Sequence, residues 1–388
     1  MTISISELKA LAKNFHSDPK RSFSLPAKAY TDPDLLEFER KAIFHNNWQY
    51  VCHIETLRNP GDYISFDIQG QPIVAVRDKQ GELRAFYNVC RHRGHELVQG
   101  NSKGNIKLFV CPYHAWGYNL DGTLRGARHS KTMENFQFED YGMVPVQIEE
   151  FCSMVFVNLN PDAASLASQS GELANELKHY IPDLDTLTHA YRLTYHVKGN
   201  WKIVTDNFLE CYHCPVSHKD LVTLIEMENY QVTTHGIYSS QIGPAGKSDN
   251  KAYNVDGASV QEHLLWWLWP NTGLSRYPGG PNWIIWNFIP VDADNTIETF
   301  DFFFPNSTPN EQQMEAIEYV DKVLQKEDID IIESVHRGMK TPACEQGGRF
   351  VVTDGKHKGE TEQGVHHFQS VYLNAINQYI QNQEQSTE

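Results

Sequence analysis

No run of apolar residues in this 388-residue chain approaches the roughly 20 needed to cross a bilayer; stretches such as Leu264 to Trp269 are far shorter. Basic residues are scarce. Thirty-three Lys and Arg stand against 49 Asp and Glu, a net charge of −16, and so acidic a chain is a poor partner for nucleic acid. The opening MTISISELKALAKNF lacks the cationic and apolar regions of a secretory signal, so a cytoplasmic protein is expected, with no membrane partner. There is no internal repeat and no G-x-G-x-x-G strand–turn–helix, which excludes a dinucleotide site of the usual kind. Seven cysteines, an odd number, argue against a disulfide framework and direct attention to metal ligands, as do 18 histidines.

Thr31-Asp32-Pro33 ahead of DLLEFERKAIF supplies a cap residue, a first-turn proline and apolar spacing near 3.6, which predicts a helix. From about residue 48 to 160 the pattern changes to short β-rich runs between Gly and Asp turns, among them DYISFDI, PIVAVRD, LRAFYNVC, IKLFVCPY and SMVFVNL. Asn160-Pro161-Asp162 breaks that pattern, and LANELKHYI is helical. Farther on, 201–214 reads as helix, WIIWNFIPV and IETFDFFF as neighbouring antiparallel strands, and 309–339 as one long amphipathic helix. The fold class is therefore α+β: a small all-β domain at 46–160 inserted into a larger domain with an antiparallel sheet flanked by helices. The larger domain comprises a helical arm at 1–45 and residues 161–382, and the Gln- and Glu-rich end at 383–388 reads as frayed.

Cys90-Arg91-His92 and Cys111-Pro112-Tyr113-His114 each follow a β-patterned run, as C-x-H, 18 residues, then C-x2-H. Each turn offers one thiolate and one imidazole. Two cysteines on one iron and two histidines on the other form the Rieske variant of a [2Fe–2S] centre. Arg91, Arg93 and the Gly94 turn add positive charge and compact backbone around an anionic cluster. Zinc also accepts two cysteines and two histidines, but its sites pair C-x2–4-C with H-x3–5-H rather than one of each per turn.

Such a cluster passes single electrons and does not activate oxygen alone, so a second metal site is expected. NWKIVTDNFLECYHCPVSH, residues 200–218, holds Glu210, His213 and His218. Two imidazoles and a carboxylate with open positions form the ligand set of oxygen-activating non-heme Fe(II). His213 and His218 are about 140° apart on a regular helix and reach one ion only if Pro215 breaks it. Cys211 and Cys214, with His218, offer a competing half zinc knuckle. A distant carboxylate should complete the set. On the 309–339 helix, Ile317, Leu324, Ile331 and Val335 mark an apolar stripe; Asp328 falls inside it, Asp321 near it, and Glu327 on its flank. Stripe geometry leaves both aspartates open.

NVCRHRGHEL and CPYHAWGYNLDG resemble the two cluster loops of the Rieske non-heme iron oxygenases, large (α-type) subunit, and the resemblance runs over nearly the whole chain. It implies Cys90, His92, Cys111 and His114 as cluster ligands and His213, His218 and Asp328, within QKEDIDIIESVHRGM, as ligands of a mononuclear Fe(2+). Glu210, where the wider family often has Asp, resembles the branch of carnitine monooxygenase, glycine-betaine monooxygenase and stachydrine demethylase. The resemblance further implies a homotrimer in which Glu210 bridges His213 to a cluster histidine, the counterpart of His114, in the neighbouring subunit. Asn207, one helical turn before Glu210, is expected to line the iron pocket. A separate NAD(P)H-dependent reductase would supply electrons, and O2 and a small molecule would be the substrates.

The expected activity is hydroxylation of a small quaternary ammonium compound such as a betaine or carnitine; hydroxylation of an aromatic ring or acid is the alternative. Trp266, Trp267, Trp269, Tyr277, Trp283 and Trp286 crowd the catalytic half, and aromatic faces bind quaternary ammonium. Strand alternation puts Trp283 and Trp286 on opposite faces, so not both line one pocket. Arg276 is a candidate partner for a substrate carboxylate.

Overall fold

The computed structural model describes residues 3–246, 255–353 and 358–385. Two compact units emerge, Phe44–Ser168 and the pair of segments Met1–Ile43 with Gln169–Glu388.

The Phe44–Ser168 unit is built on strands. They are β1 (Gln49–His53), β2 (Asp62–Ile68), β3 (Gln71–Arg77), β4 (Leu83–Tyr87), β5 (Lys103–Asn105), β6 (Phe109–Val110), β7 (Gly117–Tyr118), β8 (Leu124–Gly126), β9 (Pro145–Phe151) and β10 (Met154–Asn158). Seven form one antiparallel sheet in the order β1-β10-β9-β4-β3-β2-β5, and β6-β7-β8 form a second. Strand alternation explains why the run Ile73–Val76 is buried throughout. Val74 and Val76 pack with Phe86, Trp116 and Tyr118, whereas Ile73 and Ala75 pack with Leu57, Val155 and Val157 on the other side.

The second unit carries β11 (Thr188–Val197), β12 (Gln231–His235), β13 (Tyr238–Pro244), β14 (Glu262–Leu268), β15 (Thr272–Arg276), β16 (Trp283–Asp292) and β17 (Asn295–Phe304). They form one antiparallel sheet in the order β11-β17-β16-β15-β14-β13-β12, so WIIWNFIPV and IETFDFFF are neighbours as expected. Register sorts the side chains. Leu265 faces Ser275, Ser275 faces Ile284, and Phe288 faces Glu298, which puts these residues and Trp286 on one face. Leu264, Trp266, Arg276 and Trp283 fall on the other. The first face receives the Trp201–Phe208 helix, whose Phe208 ring lies 5.3 Å from Trp286. The second face receives the Leu173–Tyr180 helix, whose Glu176 accepts from the Trp266 indole at 3.0 Å.

A buried ion pair ties three helices together. Lys202 Nζ donates to Glu39 Oε1 at 2.7 Å, and the Trp201 indole and Tyr372 hydroxyl donate to the same carboxylate at 2.9 and 2.6 Å.

Three elements differ from the sequence expectations. The helix expected over 201–214 stops at Phe208, and a four-residue helix, Cys214–Ser217, starts afresh with Pro215 in its first turn. Pro215 has no N–H and its ring would strike the Cys211 carbonyl of a continuous helix. The helix expected over 309–339 is two helices, Glu311–Tyr319 and Gln325–Met339, joined by a π turn at Val320–Leu324. That turn rotates the later buried face: Ile332 and His336 are buried, and Val335, expected on the stripe, is exposed. The C-terminal helix Gln363–Gln385 runs through residues expected to fray, with 386–388 outside the described residues.

Candidate functional site

His213, His218 and Asp328 converge, with one ligand atom from each inside a single small cluster. His213 Nε2 and His218 Nε2 are 3.1 Å apart, His218 Nε2 and Asp328 Oδ1 3.0 Å, and His213 Nε2 and Asp328 Oδ1 3.6 Å. Donors on one face of an octahedron, each about 2.1 Å from an ion, lie about 3 Å apart, so the three atoms fit a single facially bound cation. The far nitrogens are held as well. Glu210 Oε1 lies 2.5 Å from Nδ1 of His213, and Glu327 Oε2 lies 2.8 Å from Nδ1 of His218. Carboxylates at these positions fix the ring orientation and leave both Nε2 atoms free to bind metal. Burial disfavours a charged His218, yet Asp328 and Glu327 outweigh it and raise its pKa to about 9. A field that holds a proton so firmly also favours a cation.

The broken helix makes this convergence possible. After Phe208 the chain leaves helical geometry, and Glu210 Oε2 takes the backbone N–H groups of Tyr212 and His213. His218 then follows the short Cys214–Ser217 helix. Cys211 and Cys214 are joined as a disulfide, contrary to the composition argument, and this leaves no thiolate for the zinc-knuckle alternative. Asp321, the other stripe aspartate, accepts from the Tyr195 hydroxyl at 2.8 Å.

Cys90, His92, Cys111 and His114 occupy two loops of one backbone design in the Phe44–Ser168 unit. In the first, the Cys90 N–H donates to the His95 carbonyl and the Gly94 N–H to the Cys90 carbonyl; in the second, Cys111 with Trp116 and Ala115 with Cys111 repeat the pattern. The fourth residue after each cysteine is left-handed, at φ +70° for Gly94 and +58° for Ala115. Both cysteines are buried and hydrogen-bonded neighbours. His92 and His114 lie nearer the surface with their Nδ1 atoms 3.1 Å apart. Sulfur inside and imidazole outside is the polarity a two-cysteine, two-histidine cluster requires. Tyr118, unremarked in the sequence, accepts from the Arg91 N–H at 3.0 Å and reaches Cys90 Sγ at 3.3 Å.

A cavity of about 100 Å³ adjoins the His213–His218–Asp328 cluster. Asn207 and Glu210 line it, as do Trp286 and Tyr277 from the expected aromatic set. Trp266, Trp267, Trp269 and Trp283 do not; they are buried core. Phe208, Tyr230 and Phe288 take their place. Arg276 contacts the cavity, but register turns its side chain to the opposite face, where the guanidinium binds the Tyr180 carbonyl at 2.7 Å and Asp183 at 2.8 Å. It is therefore not the carboxylate partner expected from the sequence. Glu298 is a lining residue that sequence reasoning missed; counting across the hairpin from Phe288 would have found it.

The Rieske [2Fe-2S] domain model matches residues 47–137, and that of the ring hydroxylating alpha subunit catalytic domain matches 184–378. The carnitine monooxygenase oxygenase subunit of Escherichia coli is 36% identical over 93% of this chain and 96% of its own length. This chain belongs to the Rieske oxygenase α subunits. Its cofactors are accordingly a [2Fe–2S] Rieske cluster and a mononuclear iron. The quaternary ammonium Rieske monooxygenase CntA in complex with L-carnitine is 34% identical, with a TM-score of 0.84 over 94% of this chain and 98% of that one. Naphthalene 1,2-dioxygenase from Rhodococcus sp. shares the fold at 20% identity, with a TM-score of 0.81 over 96% of this Rieske subunit and 98% of its own chain. No helix among the described residues is long and apolar enough to cross a membrane.

Proposed function

We propose that this chain is the oxygenase component of a two-component Rieske monooxygenase acting on a small quaternary ammonium compound such as a betaine or carnitine. The supporting observation is the cavity beside the three metal-binding side chains. Aromatic rings of Phe208, Tyr230, Tyr277, Trp286 and Phe288 line it, and no Lys or Arg side chain among the described lining residues points into it. Each aromatic face contributes roughly 0.5–2 kcal/mol toward a quaternary ammonium. The relatedness to carnitine monooxygenase points the same way.

In this reading His213, His218 and Asp328 hold the iron, and Cys90, His92, Cys111 and His114 hold the cluster. When bound, the iron supplies the place where O2 is activated and the cluster supplies electrons singly. Glu210 orients His213 and bridges to the cluster histidine of a neighbouring subunit in a homotrimer, and Asn207 lines the pocket. The electrons originate in a separate NAD(P)H-dependent reductase, in the cytoplasm. Overall, O2, two electrons and two protons convert a substrate C–H to C–OH and release one water. On an N-methyl group the resulting carbinol separates into formaldehyde, a tertiary amine and a proton. Aromatic hydroxylation is the weaker reading, since the aromatic-ring dioxygenase neighbour shares only the fold.

Single turnover tests this. Protein carrying about three irons and labile sulfide per chain is reduced, then given O2 with betaines, carnitine or aromatic acids in turn. Stoichiometric amine and aldehyde from a quaternary ammonium compound is the expected result; product from the aromatic acids alone would overturn the proposal.

A further inference from the structure

Glu298 stands on β17 directly opposite Phe288 of β16, on the sheet face that lines the cavity. It is 3% exposed. One carboxylate oxygen accepts the amide of Gln325, one helical turn before Asp328. Among the described residues the carboxylate has no other hydrogen-bond partner and no ion pair. The remaining lining acids are committed: Glu210 to His213, and Asp328 to the two histidines. Glu298 lies outside that donor cluster.

A carboxylate is expensive to bury without a cation. Its neighbours on the same face of β17 are Phe300 and Phe302, so an apolar side chain suits the strand. Burial, with Asp328 nearby, pushes the Glu298 carboxyl up to about 8, so the site alone keeps it mostly protonated and a cation placed beside it favours the carboxylate. A neutral ligand would be served as well by an amide or hydroxyl. A quaternary nitrogen has no N–H to donate, so only charge and aromatic contact recognise it. Trp286 supplies the aromatic surface, fixed by Phe300 at 3.9 Å and by its indole bond to Ser275 at 2.7 Å.

We infer that Glu298 is the specificity-determining counter-ion for the substrate's quaternary nitrogen, holding the cationic head beside Trp286 and Phe288. This rests on the quaternary ammonium reading above and adds the residue that would enforce it.

Calorimetric binding to the resting holoenzyme tests it, with γ-butyrobetaine and the isostere in which carbon replaces the quaternary nitrogen as probes. The wild type should bind the betaine at least tenfold more tightly. Glu298→Gln should erase most of that preference by weakening the betaine alone, while Glu298→Asp, which keeps the charge, retains it. Iron and cluster content serve as the check on folding; Glu298→Met, which leaves no unpaired amide, gives the same comparison if the Gln variant does not load iron. An intact preference in the neutral variant, or equal weakening of both probes, overturns the assignment of Glu298. A wild type indifferent to the charge overturns the quaternary ammonium reading itself, and the assignment with it.

Discussion

Glu327 Oε2 lies 2.8 Å from Nδ1 of His218, while the next residue, Asp328, places Oδ1 3.0 Å from Nε2 of the same ring. Adjacent helical residues diverge by about 100°, which lets one acid orient the imidazole from behind while the other shares its metal-facing side. Glu327→Gln should therefore weaken iron binding roughly 10–100-fold without touching the cluster. Iron retained during a chelator titration, with the cluster's visible absorbance as internal control, measures this.

Glu210 performs the same service for His213 and also caps the 211–213 turn through its second oxygen. The amide of Glu210→Gln preserves the backbone bonds but lacks the negative charge that the proposed bridge between imidazoles requires. Both metals should be retained and turnover should fall at least about 100-fold. Full activity with full metal content would remove the bridging role.

The Lys202–Glu39 pair is buried on all sides. Deleting one charge leaves the other uncompensated, so Lys202→Met should cost about 3–5 kcal/mol, much of it restored by a second change, Glu39→Gln. Denaturant unfolding of wild type, single and double variants gives the coupling directly.

Asp301 accepts from both Nε and Nη2 of Arg192, at 2.6 and 2.5 Å, and from His189 at 2.9 Å. Burial alone would raise its carboxyl, but these bonds hold it below the ordinary 3.8. A depressed folded value means the stabilisation is complete above the unfolded value and disappears as pH falls through the folded one. The melting-temperature gap between wild type and Asp301→Asn should thus be constant from about pH 8 to 5 and close below about pH 4. The corresponding difference in unfolding free energy should be about 1–2 kcal/mol, because Arg192 and His189 are half exposed and screened.

Local chemistry made much of this protein readable in advance. One Cys and one His per turn at 90–92 and 111–114 point to a mixed-ligand cluster, because thiolate and imidazole are demanded in that ratio. Pro215 between His213 and His218 announced a broken helix, since proline removes a donor wherever it stands. Asp328 came into view through an apolar stripe, although the π turn at Val320–Leu324 shifted the buried face beneath it.

What the tertiary structure alone decided concerns direction. Arg276 and Ser275 are adjacent in sequence, yet register sends one guanidinium to the helix Leu173–Tyr180 and leaves the other side chain on the cavity face. Alternation puts Glu298 on the face of Phe300 and Phe302, but only the Gln325–Met339 helix shows what meets it there, and Glu327 reads as a flank residue until His218 arrives from more than a hundred positions away. Periodicity tells which residues share a face; it does not tell what lies across from that face, because the opposing layer comes from a distant part of the chain.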